Sequence, residues 1–144
     1  MANQRRLVRD VLSDQTLVAL TGEDHVRDAA RLMKHRRVGS VLVMNNDVLE
    51  GIFTERDMVN RVVANGLDPD MTPLSKVMTA NPDTIGASAS ALDALKAMND
   101  RSYRHLPVVD EGRVVGVVST RDFYGEEKAQ EERRQAGRTT QLST

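Results

Sequence analysis

The sequence predicts a mixed α/β (α+β) fold in which one β-α-β-β-α plan is used twice, and three observations carry that prediction. A heptad of the form Gly-apolar-apolar-[Ser/Thr]-x-Arg-Asp occurs as Gly51-Ile52-Phe53-Thr54-Glu55-Arg56-Asp57 and again, 65 residues on, as Gly116-Val117-Val118-Ser119-Thr120-Arg121-Asp122. A shift of 65 residues also superposes two apolar stripes of helical spacing, Val26, Ala29, Ala30, Met33 on Ala91, Ala94, Leu95, Met98. Finally, each heptad ends a pair of apolar runs separated by a polar turn, the pattern of a β-hairpin. At 144 residues the chain can bury one ordinary core, whereas a single repeat is marginal alone, so the halves are expected to share a core.

The first unit opens with Val8-Arg9-Asp10-Val11-Leu12, followed by a short strand over Thr16-Leu17-Val18-Ala19-Leu20. Asp24 is placed to cap the helix that carries Val26 to Met33, and the two methionines of the paired stripes are read as flexible core filling. Val41-Leu42-Val43-Met44, the turn Asn45-Asn46-Asp47 and the run Val48 to Phe53 form the hairpin. The second helix starts near Thr54, faces inward with Met58, Val62 and Val63, and stops at Asn65-Gly66. Residues 67–74, with two prolines, read as a linker between a first unit over 8–66 and a second over 75–125.

In the second unit Leu74-Ser75-Lys76-Val77-Met78 matches Val8 to Leu12 at an offset of 66, a single-residue slip. Thr84-Ile85 is the short strand, Ser88 the expected helix cap, and Leu106-Pro107-Val108-Val109, Asp110-Glu111-Gly112 and Val114 to Val118 the hairpin. Pro107 is expected at a strand start or edge because it donates no ladder bond. Residues 126–144 read as a charged, solvated helix with little to pack against, and Arg138 to Thr144 as a disordered tail.

Composition narrows the function. Lys and Arg number 20 against 21 Asp and Glu, which argues against binding nucleic acid or a membrane surface through bulk charge. There is no cysteine, so disulfides, thiolate nucleophiles and cysteine-ligated metals are excluded. No apolar run reaches the roughly 18–20 residues of a bilayer span, and Met1 to Arg6 lacks a signal-peptide core. The expectation is a soluble, cytoplasmic protein. His25 and His35 share no helix face, so no metal site is expected, and Lys34, Arg36 and Arg37 read as a solvated helix end favoured by the dipole.

The heptad admits two chemical readings. Thr-x-x-Asp at a helix start is a capping box, with hydroxyl and carboxylate satisfying orphan amides. Alternatively, a glycine that lets a ligand approach, a hydroxyl at a strand end entering a helix, and Arg56 or Arg121 in the same slot together suit a phosphate. The Asp then suits a vicinal diol, and a nucleotide meets both demands.

These residues resemble a known family. The Gly-apolar-x-[Thr/Ser]-x-x-Asp motif, the Asp-Ala-x-x-x-Met helices (Asp28 to Met33 and Asp93 to Met98) and Arg104-His105-Leu106-Pro107-Val108 look like a pair of cystathionine-β-synthase (CBS) domains over about residues 8 to 125. The resemblance implies pseudo-twofold-related units packed through their sheets, two clefts for adenosine derivatives, and association into a homodimer. By position, Thr54 would meet phosphate and Asp57 ribose in the first cleft, with Asp83 and Thr84 near the base and Arg104 and His105 near the phosphate. The second cleft would use Ser119 and Asp122, with Val18 and Ala19 near the base and the neutral Gly39 and Ser40 opposite, and Arg121 is a further candidate ligand-binding residue from the heptad. His105 also reads as an ordinary histidine at a strand start. The cationic wall of Arg104 and His105 implies that the first cleft prefers more phosphate charge.

The expected function is a non-catalytic regulatory module that binds AMP, ADP or ATP, needs no cofactor, and signals to an unidentified effector protein. The alternatives are a ligand-free dimerisation scaffold and a sensor of S-adenosylmethionine or NAD. An enzyme is disfavoured because no Ser-His-Asp set, metal-spaced cluster or Gly-Lys-[Ser/Thr] loop is visible. Single-stranded nucleic acid is disfavoured by having only Phe53, Tyr103, Phe123 and Tyr124 to stack on bases.

Overall fold

A computed structural model of the chain describes residues 6–12 and 16–142. In chain order the elements are α1 (Val8–Val11), β1 (Ala19–Leu20), α2 (Val26–Arg36), β2 (Ser40–Asn45), β3 (Val48–Thr54) and α3 (Glu55–Asp57), which runs on as a π-helix over Met58–Val63. There follow α4 (Leu74–Val77), β4 (Thr79–Ala80), β5 (Ile85–Gly86), α5 (Ala91–Arg101), β6 (His105–Asp110), β7 (Arg113–Ser119), a 3₁₀ turn (Thr120–Asp122) and α6 (Glu126–Leu142). The α/β (α+β) class and the doubled β-α-β-β-α order are thereby observed.

Packing and sequence period divide the chain differently. One compact unit is Thr16–Asp83, and the other joins residues 6–12 to residues 84–142. The leading helices explain the difference. In the 16–83 unit, Leu74 N donates to Asp24 O at 2.8 Å and Ser75 N to Gly22 O at 3.1 Å, so α4 sits at the start of α2. In the other unit, Val8 N donates to Ala89 O at 2.8 Å and Arg9 N to Ala87 O at 2.9 Å, so α1 sits at the start of α5. Each four-residue helix therefore belongs to the compact unit of the other repeat.

In the 16–83 unit the strands lie in the order β1-β2-β3-β4, with β1 parallel to β2 and the remaining pairs antiparallel. The inward face of α2 (Val26, Ala29, Met33) packs with Val41, Val43 and Phe53 of the sheet, Val62 of the π-helix and Leu74 and Val77 of α4. Residues expected as a linker are part of this unit, because α2 needs partners for its first amides: Val26 N donates to Thr72 O at 3.0 Å and Arg27 N to Pro69 O at 3.0 Å. Only Ala19–Leu20 of the expected 16–20 run is strand. Asp24 bonds back to Thr21 N at 2.8 Å, and the cap position of α2 falls one residue later, at His25. Val63 is 70% exposed, not inward. The π-helix closes through longer steps such as Ala64 N to Val59 O, which turns the face expected of an α-helix.

In the 84–142 unit the order is β5-β6-β7 among the described residues. Ala91, Ala94, Leu95 and Met98 of α5 pack with Leu106, Val108, Val118 and Phe123, and with Val8 and Val11 of α1. Ser90, two residues after the expected Ser88, caps α5 by accepting from Asp93 N at 3.0 Å. Pro107 lies inside the central strand β6, opposite Val117, rather than at a start or edge. Its counterpart Leu42 donates to Val18 O at 2.9 Å. Pro107 has no proton for that bond, and β5 begins only at Ile85.

The charged C-terminal segment is a packed helix. α6 continues to Leu142, so residues 138–142 are helical where a tail was expected. Its contacts with α5 are polar: Glu131, 2% exposed, accepts from Asn99 Nδ2 at 3.1 Å and is paired with Arg134, while Arg134 and Arg138 each reach Asp100 at 2.7 Å. An apolar stripe was the wrong criterion for whether this helix has a partner.

Candidate functional site

Strand register gathers the heptad residues at one end of each sheet. In the 16–83 unit Ser40 pairs with Thr54 and Ala19 with Leu42, so the starts of β1 and β2 and the end of β3 meet there. Val18, Ala19, Gly39, Ser40, Thr54 and Asp57 are thus brought to one edge, where Glu55 N donates to Gly39 O at 3.1 Å. In the 84–142 unit His105 pairs with Ser119, Ile85 pairs with Val108, and Thr120 N donates to Arg104 O at 3.1 Å. That edge gathers Thr84, Arg104, His105, Ser119, Arg121 and Asp122. Asp83 is exposed and immediately precedes it. Arg104 and His105 therefore stand beside the second heptad within its own unit.

The capping box predicted for the first heptad is present. Thr54 Oγ1 accepts from Asp57 N at 3.1 Å, and Asp57 Oδ2 accepts from Thr54 N at 3.0 Å. Asp57 has further partners. Thr54 Oγ1 donates to its Oδ2 at 3.1 Å, Thr79 Oγ1 donates to its Oδ1 at 3.3 Å, and Arg61 Nε lies 3.5 Å from Oδ1. Arg61 in turn donates to Met78 O at 2.7 Å. The backbone approach expected at Gly51 is made by the protein itself, since a Cβ there would lie 2.9 Å from Thr79 O and nearer still to Met78 Sδ.

The second heptad forms its capping box on a 3₁₀ turn. Ser119 Oγ accepts from Arg121 N at 3.3 Å and Asp122 Oδ2 accepts from Ser119 N at 2.7 Å. The turn ends at Asp122, because Phe123 is extended and buried and Gly125 has φ +74°. A cavity of about 310 Å³ between α5 and α6 reaches this turn at Thr120 and is also lined by Leu95, Lys128 and Glu132. Sequence reasoning missed Thr79 and Arg61 around Asp57. Arg61 stands four residues after Asp57, a helical pairing distance, but the two-residue β4 that carries Thr79 left no pattern to find.

The edges carry hydroxyls and guanidinium groups suited to holding an anion, and carboxylates suited to accepting from a neutral diol. Among the described residues no group of three or more His, Cys, Asp or Glu side chains is disposed to hold a metal ion. No described helix is long and apolar enough to cross a membrane.

Comparison with known proteins agrees with this architecture. The CBS domain family model matches residues 8–64 and 74–127. The chain is 40% identical over 118 residues to the CBS domain-containing protein CBSCBSPB3 of Arabidopsis thaliana, covering 81% of this chain and 21% of that one. It is 34% identical over 116 residues to the CBS domain-containing protein YhcV of Bacillus subtilis, covering 81% of each. A solved CBS domain protein from Pyrobaculum aerophilum complexed with AMP superposes with a TM-score of 0.77 at 28% identity, over 88% of this chain and 96% of that one. The chain belongs to the CBS domain family, with two copies of the domain. It spans about a fifth of the length of the Arabidopsis relatives it matches.

Proposed function

We propose that this chain is a non-catalytic regulatory module whose ligand is an adenosine-type nucleotide of the AMP, ADP or ATP class. The observation that carries this reading is the edge of the 84–142 unit, where a hydroxyl (Ser119), a carboxylate (Asp122), the imidazole of His105 and the cations Arg104 and Arg121 are brought together by the pairing of β6 with β7. A phosphate suits the hydroxyl and cations, and a ribose diol suits the carboxylate. The AMP complex of the Pyrobaculum relative supports the ligand class. Val18, Ala19, Asp83 and Thr84, expected near the base, belong to the same proposal.

Binding regulates a partner only where the nucleotide prefers one arrangement of the protein over another. The effector is a separate protein, and a second copy of the chain is the proposed partner for Val59 and Val63, which are 59% and 70% exposed on the π-helix. A thermal-shift panel of AMP, ADP, ATP, S-adenosylmethionine and NAD tests the reading. A ligand at about a thousandfold excess over its Kd stabilises by roughly 4 kcal/mol. A shift with S-adenosylmethionine or NAD alone would replace the adenine mononucleotide by those sensors, and no shift with any of the five would favour the ligand-free scaffold. Incubation with ATP is expected to give no hydrolysis above background.

A further inference from the structure

We propose that the two heptads have divided their work: Asp57 is a structural clamp of the 16–83 unit, and the chain binds one nucleotide, at Ser119, Arg121 and Asp122. This rests on the nucleotide reading above and assigns it to one of the two motifs.

A carboxylate offers about four acceptor sites, and at Asp57 three are filled by hydrogen bonds and the fourth side faces a guanidinium. Thr54 N and Thr54 Oγ1 donate to Oδ2 and Thr79 Oγ1 donates to Oδ1, while the Arg61 guanidinium covers Oδ1 as an ion pair at 3.5 Å. A vicinal diol needs two of these sites, and at 7% exposure Asp57 offers little surface to a ligand. The Thr54 hydroxyl is committed in the same way, its proton to Asp57 Oδ2 and a lone pair to Asp57 N. It has no proton left for a phosphate oxygen. The bonds tie α3 to the π-helix through Arg61 and to β4 through Thr79, and Gly51 is the position that lets β4 approach.

Asp122 is held differently. Among the described residues it accepts from Ser119 N, which leaves lone pairs on both oxygens for hydroxyl donors. The residue four positions on is Glu126 where the first copy has Arg61, so no equivalent cation closes the carboxylate, and Glu126 is paired with Arg133 at 3.0 Å. Ser119 Oγ accepts from Arg121 N, and its proton remains available to an anion. Ser13, which matches Thr79 at the offset of 66, lies outside the described residues. The assignment therefore rests on the Arg61 to Glu126 difference and on the contacts of Asp57 itself.

Calorimetric titration of the full chain with AMP, paired with thermal melts, tests the division. One AMP per chain is expected. Asp122→Asn should weaken AMP at least tenfold and Ser119→Ala several-fold, both melting within about 2 °C of the parent. Asp57→Asn should lower the melting temperature by about 3–6 °C and change AMP affinity less than twofold, and Thr79→Ala should do the same more mildly if Asp57→Asn does not fold. Two AMP molecules per chain, or a tenfold loss of affinity in Thr79→Ala, would overturn the assignment. Equal melting of Asp57→Asn and Asp122→Asn would overturn the clamp while leaving the nucleotide reading intact. No AMP binding by the parent chain would remove the nucleotide reading and the Asp122 site together, with the clamp still judged by the melts.

Discussion

Asn99 Nδ2 donates to Glu131 Oε1 at 3.1 Å, so that a carboxylate 2% exposed on α6 is held by a side chain of α5. A buried carboxylate is stable only when its acceptor sites are filled, and here Arg134 and Gln135 fill the others. Removing the carboxylate leaves the Asn99 and Gln135 donors without it, although the partly exposed Arg134 can turn to solvent. Glu131→Ala is therefore expected to lower stability by about 2–3 kcal/mol, read from urea denaturation. Protease cleavage within α6 should accelerate in the same variant, and unchanged values in both measurements would show that α6 is not held here.

The same network sets a pH dependence. Hydrogen bonds from Arg134, Gln135 and Asn99 hold the Glu131 carboxyl down from its ordinary value near 4.5 to about 2, against a burial that opposes ionisation. A depressed folded-state pKa stabilises above the unfolded value and loses that contribution as pH falls through the folded one. Asp100, bonded to Arg134 and Arg138, is lowered too and acts with the same sign. Thermal stability is expected to fall as pH drops from about 4.5 towards 2. Glu131→Gln should flatten that part of the profile, measured by circular dichroism melts at each pH.

A second buried acid anchors the start of α6. Glu127 is 8% exposed and its Oε1 lies 2.9 Å from Arg6 Nη1, a close ion pair that misses hydrogen-bond angles, while the Arg6 guanidinium sits 4.0 Å above the Tyr124 ring. Arg6→Ala strands the Glu127 charge and uncovers the ring, and is expected to cost about 2–3 kcal/mol. Arg6→Lys restores the charge without the planar stack and should recover part of the loss. Equal stability of the alanine and lysine variants in urea denaturation would discount the charge.

The repeat was legible because backbone geometry repeats where its residues do. The bulges after Val43 and Val108, the turns at Asn46 and Glu111 with positive φ, and the pairings Ser40 with Thr54 and His105 with Ser119 all recur at the offset of 65. The exchange of α1 and α4 between compact units was not legible, since periodicity says which segments are alike but not which sheet each one covers. α6 was misread because apolar spacing is blind to a helix docked by Glu131, Arg134 and Asp100. At the site, Thr54 and Asp57 were found with two readings open. Their contacts with Thr79 and Arg61 distinguish the first copy from the second, and that distinction depends on the two-residue β4, too short to leave a pattern in sequence.

Gly51 gives the sharpest test of how closely β4 lies against the first heptad. A Cβ at Gly51 would press on Thr79 O at 2.9 Å and on the Met78 side chain, and the carbonyl belongs to a strand paired with Gly51 itself through Ala80. The methionine can swing away, but the backbone can yield only by opening the β3–β4 pair and carrying Thr79 away from Asp57. Gly51→Ala is expected to cost about 1–3 kcal/mol in urea denaturation. Gly86, in the short parallel strand of the other unit, would meet nothing within 4 Å and is not in the left-handed region. Gly86→Ala is expected to be neutral or to stabilise by up to about 1 kcal/mol through the lower entropy of the unfolded chain. Similar losses in both variants would mean that the penalty at Gly51 comes from the strand in general, and that β4 does not press on the heptad.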